Sequence, residues 1–135
     1  MQITEQHYKL VKDEEKLFKL PMSDIFSNQN ITKYKNVIEI QFQSNISKRG
    51  SSPMQHLVDV KAQVAYDEDK KDDPVDIKDI LRNETGQDII LHYIVYELCD
   101  LTLDSTIELT IKMLDGEAEG FYIVKVIDTD PFSIQ

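Results

Sequence analysis

Strict alternation of apolar and polar residues is the sequence feature that most limits how this chain can fold. In residues 37–46, Ile38 and Ile40 alternate with polar neighbours, and residues 57–66 repeat the pattern. Successive side chains of a β-strand point to opposite faces, so each segment predicts a strand with one buried face. Residues 47–53, which are rich in Ser with Gly and Pro, predict a loop that joins these strands into an antiparallel hairpin.

A second pair of strands is predicted near residues 107–127. Apolar and polar residues alternate over 107–113, Gly116 and Gly120 then mark a loop, and residues 121–127 are apolar on both faces. A strand, a glycine-bearing loop and another strand are typical of a β-hairpin. Because both faces of the last strand are apolar, we expect it to lie centrally in its sheet.

The middle of the chain, near residues 75–101, predicts one or two helices. Pro74 suits the start of a short helix, and Ile90, Ile94 and Leu98 follow at helical spacing. The later run is also rich in Ile, Val and Tyr, which favour strands, so a strand is an alternative there.

The N-terminal region leaves two interpretations open. Residues 1–20 form either an amphipathic helix or two short strands, over 3–11 and 16–20. Pro21 is expected to end whichever element forms. Residues 21–36 predict a loop with one helical turn.

These segments together predict one α+β domain over residues 1–135. We expect an antiparallel sheet of four to five strands, built from the hairpins near 37–66 and 107–127, to pack with one or two central helices near 75–101. A chain of 135 residues, 41% of them hydrophobic, can bury a core without metal or disulfide support.

Net charge and cysteine content limit the partners and the compartment. The formal net charge is -10, which argues against generic nucleic-acid binding because phosphate-binding surfaces are basic. The single cysteine cannot form an internal disulfide, and no leader-like or long apolar run is present. We therefore expect a cytoplasmic protein, in the host cytoplasm if phage-encoded, with no membrane and no direct nucleic-acid partner. Lysines outnumber arginines 13 to 2, a bias that we associate with low-GC bacteria and their phages.

Negative charge is concentrated in the second half of the chain. Residues 1–66 carry a net charge of +2, whereas residues 67–135 carry -12. The densest run supplies the candidate binding residues, which are Asp67, Glu68, Asp69, Asp72, Asp73, Asp76 and Asp79. Such a run is commonly a solvated loop that leads into a helix. As a functional surface it would bind a basic protein partner.

The motifs indicate neither catalysis nor metal binding. His7, His56 and His92 are scattered, without the spacing of a zinc site or of a nucleophile and its base. The acidic run lacks the glycine and the final glutamate of a calcium loop, and no glycine-rich phosphate loop is present. We therefore expect no catalytic residue, no metal and no cofactor, and we interpret His92 as a core-lining or boundary histidine and Cys99 as a buried, inert thiol.

Three functional hypotheses follow. The first is a small acidic, non-enzymatic interaction module, an inhibitor or accessory protein of a phage or low-GC bacterium, that binds a basic protein surface through its acidic C-terminal half. The second is a subunit of a homo-oligomeric structural assembly of viral or phage type, and the third is an enzyme with a dispersed active site. A basic tip formed by Lys33, Lys35, Lys48 and Arg49 would let copies associate head to tail.

Overall fold

Nine β-strands form most of the regular structure within residues 2–27, 30–84 and 87–129, the ranges that the computed structural model describes. The side chains of residues 78–84 and 87 are outside this description. The strands are β1 (Gln2–Leu10), β2 (Glu15–Pro21), β3 (Asn36–Lys48), β4 (Val58–Ala65), β5 (Val75–Asp76), β6 (Lys78–Glu84), β7 (Gln87–Glu97), β8 (Thr106–Met113) and β9 (Glu117–Asp128). The helical segments are short, namely α1 (Met22–Phe26) and 3-10 turns at Met54–His56 and Leu98–Asp100.

The strands form a sandwich of two antiparallel sheets. Sheet A has the order β1-β9-β3-β7-β6, and sheet B has the order β2-β8-β4-β5. Alternation along β3, β4 and β8 points their apolar residues into the space between the sheets. The core includes the fully buried side chains of Ile38, Ile40, Phe42, Ile107, Leu109 and Ile111.

The prediction of an α+β fold with central helices near 75–101 is wrong. That region forms β5, β6 and β7, followed by the 3-10 turn at Leu98–Asp100. A spacing of four residues places side chains on one face of a helix, but it also places them on one face of a strand. Ile90 and Ile94 therefore point into the core from β7. The β-favouring Ile, Val and Tyr residues of this run fit its place between β3 and β6.

Both predicted hairpins, near 37–66 and 107–127, contain the right strands in the wrong pairing. β3 pairs with β7 and β9 in sheet A, whereas β4 pairs with β5 and β8 in sheet B. β8 and β9 are likewise divided between the sheets. Alternation specifies which face of a strand is buried but not which strand lies beside it, so consecutive strands can face each other across the core. β9 does lie centrally, between β1 and β3.

The N-terminal region forms two strands, which was the second of the two interpretations. β2 ends at Pro21, and α1 supplies one helical turn within 21–36, with Met22 and Ile25 buried. β1 pairs with β9 and β2 pairs with β8, so these two strands also lie on opposite sides of the core.

Aromatic rings join the two sheets inside the sandwich. The ring centroid of Phe18, from sheet B, lies 6.3 Å from that of Tyr8 and 5.0 Å from that of Tyr122. Phe42 extends the cluster, with its centroid 5.2 Å from that of Tyr122. Tilted and edge-on ring pairs contribute about 0.5–1.5 kcal/mol each beyond their burial, so this cluster helps to hold sheet A against sheet B.

The hydroxyl of Tyr8 connects β1 to β3 across the intervening β9. It donates a hydrogen bond of 3.0 Å to the Gln43 carbonyl oxygen and shares one of 2.8 Å with the Ser44 hydroxyl. Tyr8→Phe is expected to lower the free energy of unfolding by about 1–2 kcal/mol, because the Ser44 hydroxyl stays buried and loses this bond. Urea denaturation measures the loss. Tyr34→Phe is the matched control, since Tyr34 is 84% exposed, and an equal loss in both variants would contradict the argument.

The loops that join the strands define two ends of the sandwich. The strand registers place at one end the connections 22–35, 66–74 and 98–105. They place at the opposite end the connections 11–14, 49–57 and 114–116. The charged residues of these loops therefore gather into two separate surfaces.

Candidate interaction surfaces

The loop of residues 66–73, which holds most of the predicted acidic residues, is a hydrogen-bonded turn. The carboxylate of Asp67 accepts hydrogen bonds from the backbone N–H groups of Asp69 at 2.8 Å and Lys70 at 2.6 Å. The backbone N–H of Tyr66 donates to the Lys70 carbonyl at 2.8 Å. These bonds order the loop backbone, while the side chains of residues 67–73 stay exposed.

Asp72 connects this loop to its surroundings. Its backbone N–H donates to the Val64 carbonyl at 2.9 Å, and its carboxylate accepts a bond of 3.0 Å from the Tyr66 hydroxyl. That bond is the largest cause that raises the pKa of Tyr66, with burial and the charges of Asp72 and Asp100 adding to it. Because Asp100 belongs to a different loop, its effect on Tyr66 indicates that the two loops are neighbours.

Carboxylates of a second loop adjoin the acidic turn. Asp104 lines the same cleft as Asp67 and Glu68, with a volume of about 370 Å³. Glu97 and Asp100 bring side-chain oxygens within 4.8 Å of each other. We name this exposed surface the acidic end, and it comprises Asp67, Glu68, Asp69, Asp72, Asp73, Glu97, Asp100 and Asp104.

The lysines beside these carboxylates contact particular neighbours. The Lys70 ammonium lies 5.5 Å from the centre of the Tyr66 ring, and the Lys71 Nζ lies 3.3 Å from Glu108 Oε1. Lys19 lines the cleft as well. Acidic residues outnumber these lysines, so the end carries a net negative charge.

The structure brings together five of the seven predicted binding residues. The other two lie elsewhere, because the chain crosses from sheet B to sheet A between β5 and β6 instead of continuing as a helix. Asp76 is exposed in β5, in register with Lys61. Asp79 belongs to β6, where its backbone is in register with His92, and its side chain is outside the described part.

Sequence reasoning missed Glu97, Asp100 and Asp104 as parts of the same surface. On a helix Glu97, Asp100 and Asp104 would share one face, but a helix gives no reason to place that face beside residues 67–73. In the structure, Glu97 ends β7 and Asp100 and Asp104 lie in the connection to β8, so all three lie at the same end of the sandwich as residues 66–74. The signal that was available is their charge, since residues 67–135 carry a net charge of -12.

The predicted basic tip is not formed. Lys33 and Lys35 precede β3, whereas Lys48 and Arg49 lie at its other end, so the two pairs are separated by a strand of 13 residues. Arg49 Nη1 lies 3.6 Å from Asp88 Oδ2, which balances part of its charge. Head-to-tail association through such a tip therefore loses its geometric basis.

His92, expected at the core or its boundary, is buried, whereas Cys99, expected to be buried, is not. His92 is fully buried on the inward face of β7, and burial lowers its pKa to about 4. Cys99 is partly exposed, with its Sγ 3.7 Å from Glu97 Oε2 and 3.9 Å from Asp100 Oδ1. These three side chains could offer ligands to an ion, but they lie at the surface and we assign no metal to them.

The two sheets differ in the faces that they turn away from the core. The outer face of sheet B is polar, with Lys61 Nζ 3.8 Å from Asp59 Oδ2 and Lys71 paired with Glu108. On the outer face of sheet A, β7 turns outward the apolar residues Ile89, Leu91, Tyr93 and Val95, whereas β9 mixes Phe121, Ile123 and Ile127 with Glu117, Glu119 and Lys125.

A groove of about 730 Å³ adjoins the outer face of sheet A. Its lining includes His7, Asn45, Glu119 and Phe121, and the His7 ring centroid lies 5.5 Å from that of Phe121. His7 Nε2 lies 3.2 Å from a carboxylate oxygen of Glu5. The groove is a wide, open extension of the sheet face.

Comparison of the chain with models of known protein families gives no match, and comparison with curated proteins gives none either. Within the described residues, the helices are all too short and too polar to cross a membrane.

Proposed function

We propose that this chain is a non-enzymatic interaction module that binds a basic protein surface through its acidic end. The observation that carries the proposal is the meeting of two loops, distant in sequence, that place eight exposed carboxylates on one end of the sandwich. We further propose that it acts in the cytoplasm as an inhibitor or accessory protein of a basic partner.

Like charges gathered on one surface raise the local concentration of an oppositely charged partner. Electrostatic attraction of this kind increases association rates by about 10- to 1,000-fold at low salt. The attraction acts over roughly 8–10 Å at physiological salt, so it requires the carboxylates to be close together. Both acidic loops meet this requirement.

The ordered backbone of the 66–73 loop lowers the entropic cost of docking a partner. Asp67 and Asp72 use their carboxylates to hold the turn, so the backbone loses little further freedom when a partner docks. Glu68, Asp69 and Asp73 are then presented outward.

Neutralising the exposed carboxylates tests the proposal. The variant Glu68→Gln, Asp69→Asn, Asp73→Asn and Asp104→Asn keeps the two structural aspartates. We expect it to bind a lysine-rich peptide with an association rate lower by about tenfold at low salt, and to lose that difference at high salt. Stopped-flow or surface plasmon resonance measurements over a salt series provide the rates.

A control of equal charge separates location from net charge. The variant Asp13→Asn, Glu14→Gln, Glu15→Gln and Glu117→Gln removes the same number of charges near the opposite end. We expect its association rate to stay close to that of the unmodified protein. Equal losses in the two variants would mean that the acidic end is not the binding surface.

A further inference from the structure

β1 forms an open edge of sheet A. Within the described residues, β1 pairs with β9 alone, and its other side has no strand beside it. Glu5, Gln6, His7 and Lys9 are exposed along this strand. An unpaired strand edge is a template for another strand, because its backbone N–H and C=O groups can continue the sheet.

The hydrogen bonding of β9 shows which backbone groups of β1 are available. The N–H of Thr129 donates to the Lys35 carbonyl at 2.7 Å, so the odd-numbered residues of β9 bond to β3. Bonding directions alternate along a strand, so the even-numbered residues of β9 bond to β1. Their partners in β1 are also even-numbered. The N–H and C=O groups of Glu5, His7 and Lys9 therefore point away from sheet A.

The charges on this edge are complementary to themselves. Antiparallel pairing of two β1 strands about a twofold axis at His7 places Glu5 of each copy opposite Lys9 of the other. These odd-numbered residues then form about six backbone hydrogen bonds and two cross-strand pairs of opposite charge. Any other antiparallel register loses the pairs between Glu5 and Lys9. We propose that β1 pairs with β1 of a second copy in this register and joins the two A sheets.

β2, the corresponding edge of sheet B, is protected against the same pairing. It repeats the charge pattern with Glu15 and Lys19, but Lys16 faces inward, in register with the buried Ile111. Pairing β2 with itself would carry Lys16 into the junction between the two cores. Inward-pointing charges on edge strands oppose edge-to-edge association. The inward residues of β1 are uncharged, namely Thr4, Gln6, Tyr8 and Leu10.

A contact along one strand is smaller than a standard interface, so the dimer is expected to be weak, with a dissociation constant on the order of 10–100 μM. Sedimentation equilibrium at pH 8, where histidine side chains are neutral, measures the association. We expect the molar mass to rise with concentration from 15.7 kDa toward twice that value. The interface lies along the side of the sandwich, so it leaves the acidic end accessible and does not depend on the proposed function.

Exchanging charges tests the register. Glu5→Lys gives each copy two bases on this edge, and Lys9→Glu gives each copy two acids. Each variant alone is expected to dimerise at least about tenfold more weakly than the unmodified chain. An equimolar mixture of the two variants is expected to dimerise about as well as the unmodified chain, because each base then faces an acid. Recovery in the mixture also shows that both variants are folded.

Two further variants locate the contact on β1. His7→Pro removes an N–H that points away from β9, so it is expected to abolish dimerisation and leave the fold in place. Leu17→Pro, on the open edge of β2, is the matched control and is expected to dimerise normally.

Disulfide formation reports the register directly. In a Cys99→Ser background, His7→Cys is expected to link two chains, because the Cα atoms of a hydrogen-bonded pair lie about 5.5 Å apart. Glu5→Cys lies about 14 Å from its counterpart in this register and is expected to stay reduced.

Four results would overturn the inference. The first is a monomer at every concentration up to about 1 mM, and the second is an equal loss of association in His7→Pro and Leu17→Pro. The third is a mixture of the charge variants that dimerises no better than either variant alone. The fourth is preferential disulfide formation through Glu5→Cys, which would require a different register.

Discussion

Replacing Gly120 by alanine is expected to lower the free energy of unfolding by about 3 kcal/mol. Gly120 lies in β9, in register with Tyr8 on one side and Ser44 on the other. A Cβ atom at this position would overlap the carbonyl oxygen of Gln43. That oxygen belongs to the backbone of β3 and cannot rotate away, so the β3–β9 pair has to shift or separate. Urea or thermal denaturation measures the loss.

Gly50→Ala is the matched control for this prediction. A Cβ at Gly50 would overlap the carboxylate of Asp115, which is the end of a side chain that can move. We expect a loss below about 1 kcal/mol there, because a surface substitution of this kind rarely exceeds that value. If Gly120→Ala were as stable as Gly50→Ala, the close approach of β9 to β3 would be disproved.

Acidification from pH 6.5 to 4 is expected to remove about 3 kcal/mol of stability through His92 alone. Burial lowers the pKa of His92 to about 4 from its ordinary value of 6.5. The unfolded chain therefore binds more protons than the folded chain between these pH values, and stability falls as the pH falls. Above pH 6.5 the contribution is fully present, since both states hold the neutral imidazole.

The His92 effect is measured as a difference between proteins. Unfolding free energies at pH 7 and pH 4 are compared for the unmodified chain and for His92→Leu, which keeps a side chain of similar size in the core. The pH-dependent loss should be smaller in the variant by about 3 kcal/mol. His7→Gln, at an exposed position, should retain the full loss. A parallel pH dependence in all three proteins would refute the assignment.

The strands of this fold are predictable from the sequence because a strand that buries one face shows alternating apolar and polar residues. The alternation of Ile38, Ile40 and Phe42 predicts β3, and the observed burial of these three side chains matches it. The run around Ile90 and Ile94 is ambiguous, because a spacing of four residues satisfies both periodicities. Only neighbouring strands decide such a case, and those neighbours come from distant parts of the sequence.

The alternation of apolar and polar residues does not show which strands pair with each other. The pattern in β3 is satisfied equally by β4 beside it or by β4 across the core from it. The glycine-bearing loop before β9 suggested a hairpin, yet the same loop carries the chain from sheet B to sheet A. At Gly116, a φ of +95° accommodates this turn.

The acidic end likewise combines residues that are close together in the sequence with residues that only the fold brings together. The acidic run at residues 67–73 is contiguous in sequence, so it was predictable. Its proximity to Asp100 and Asp104 depends on β4 and β7 ending, and β8 beginning, at the same end of the sandwich.

The crossing of β1 and β2 to opposite sheets has a consequence for synthesis on the ribosome. Within the described residues, β1 (Gln2–Leu10) pairs as a strand only with β9 (Glu117–Asp128), and β2 (Glu15–Pro21) only with β8 (Thr106–Met113). At about 5–20 residues per second, these early strands wait roughly 5–20 s for their partners. Sheet B cannot be completed until β8 has left the exit tunnel, and sheet A cannot be completed until β9 has, so the nascent chain has to be kept from aggregating during that interval.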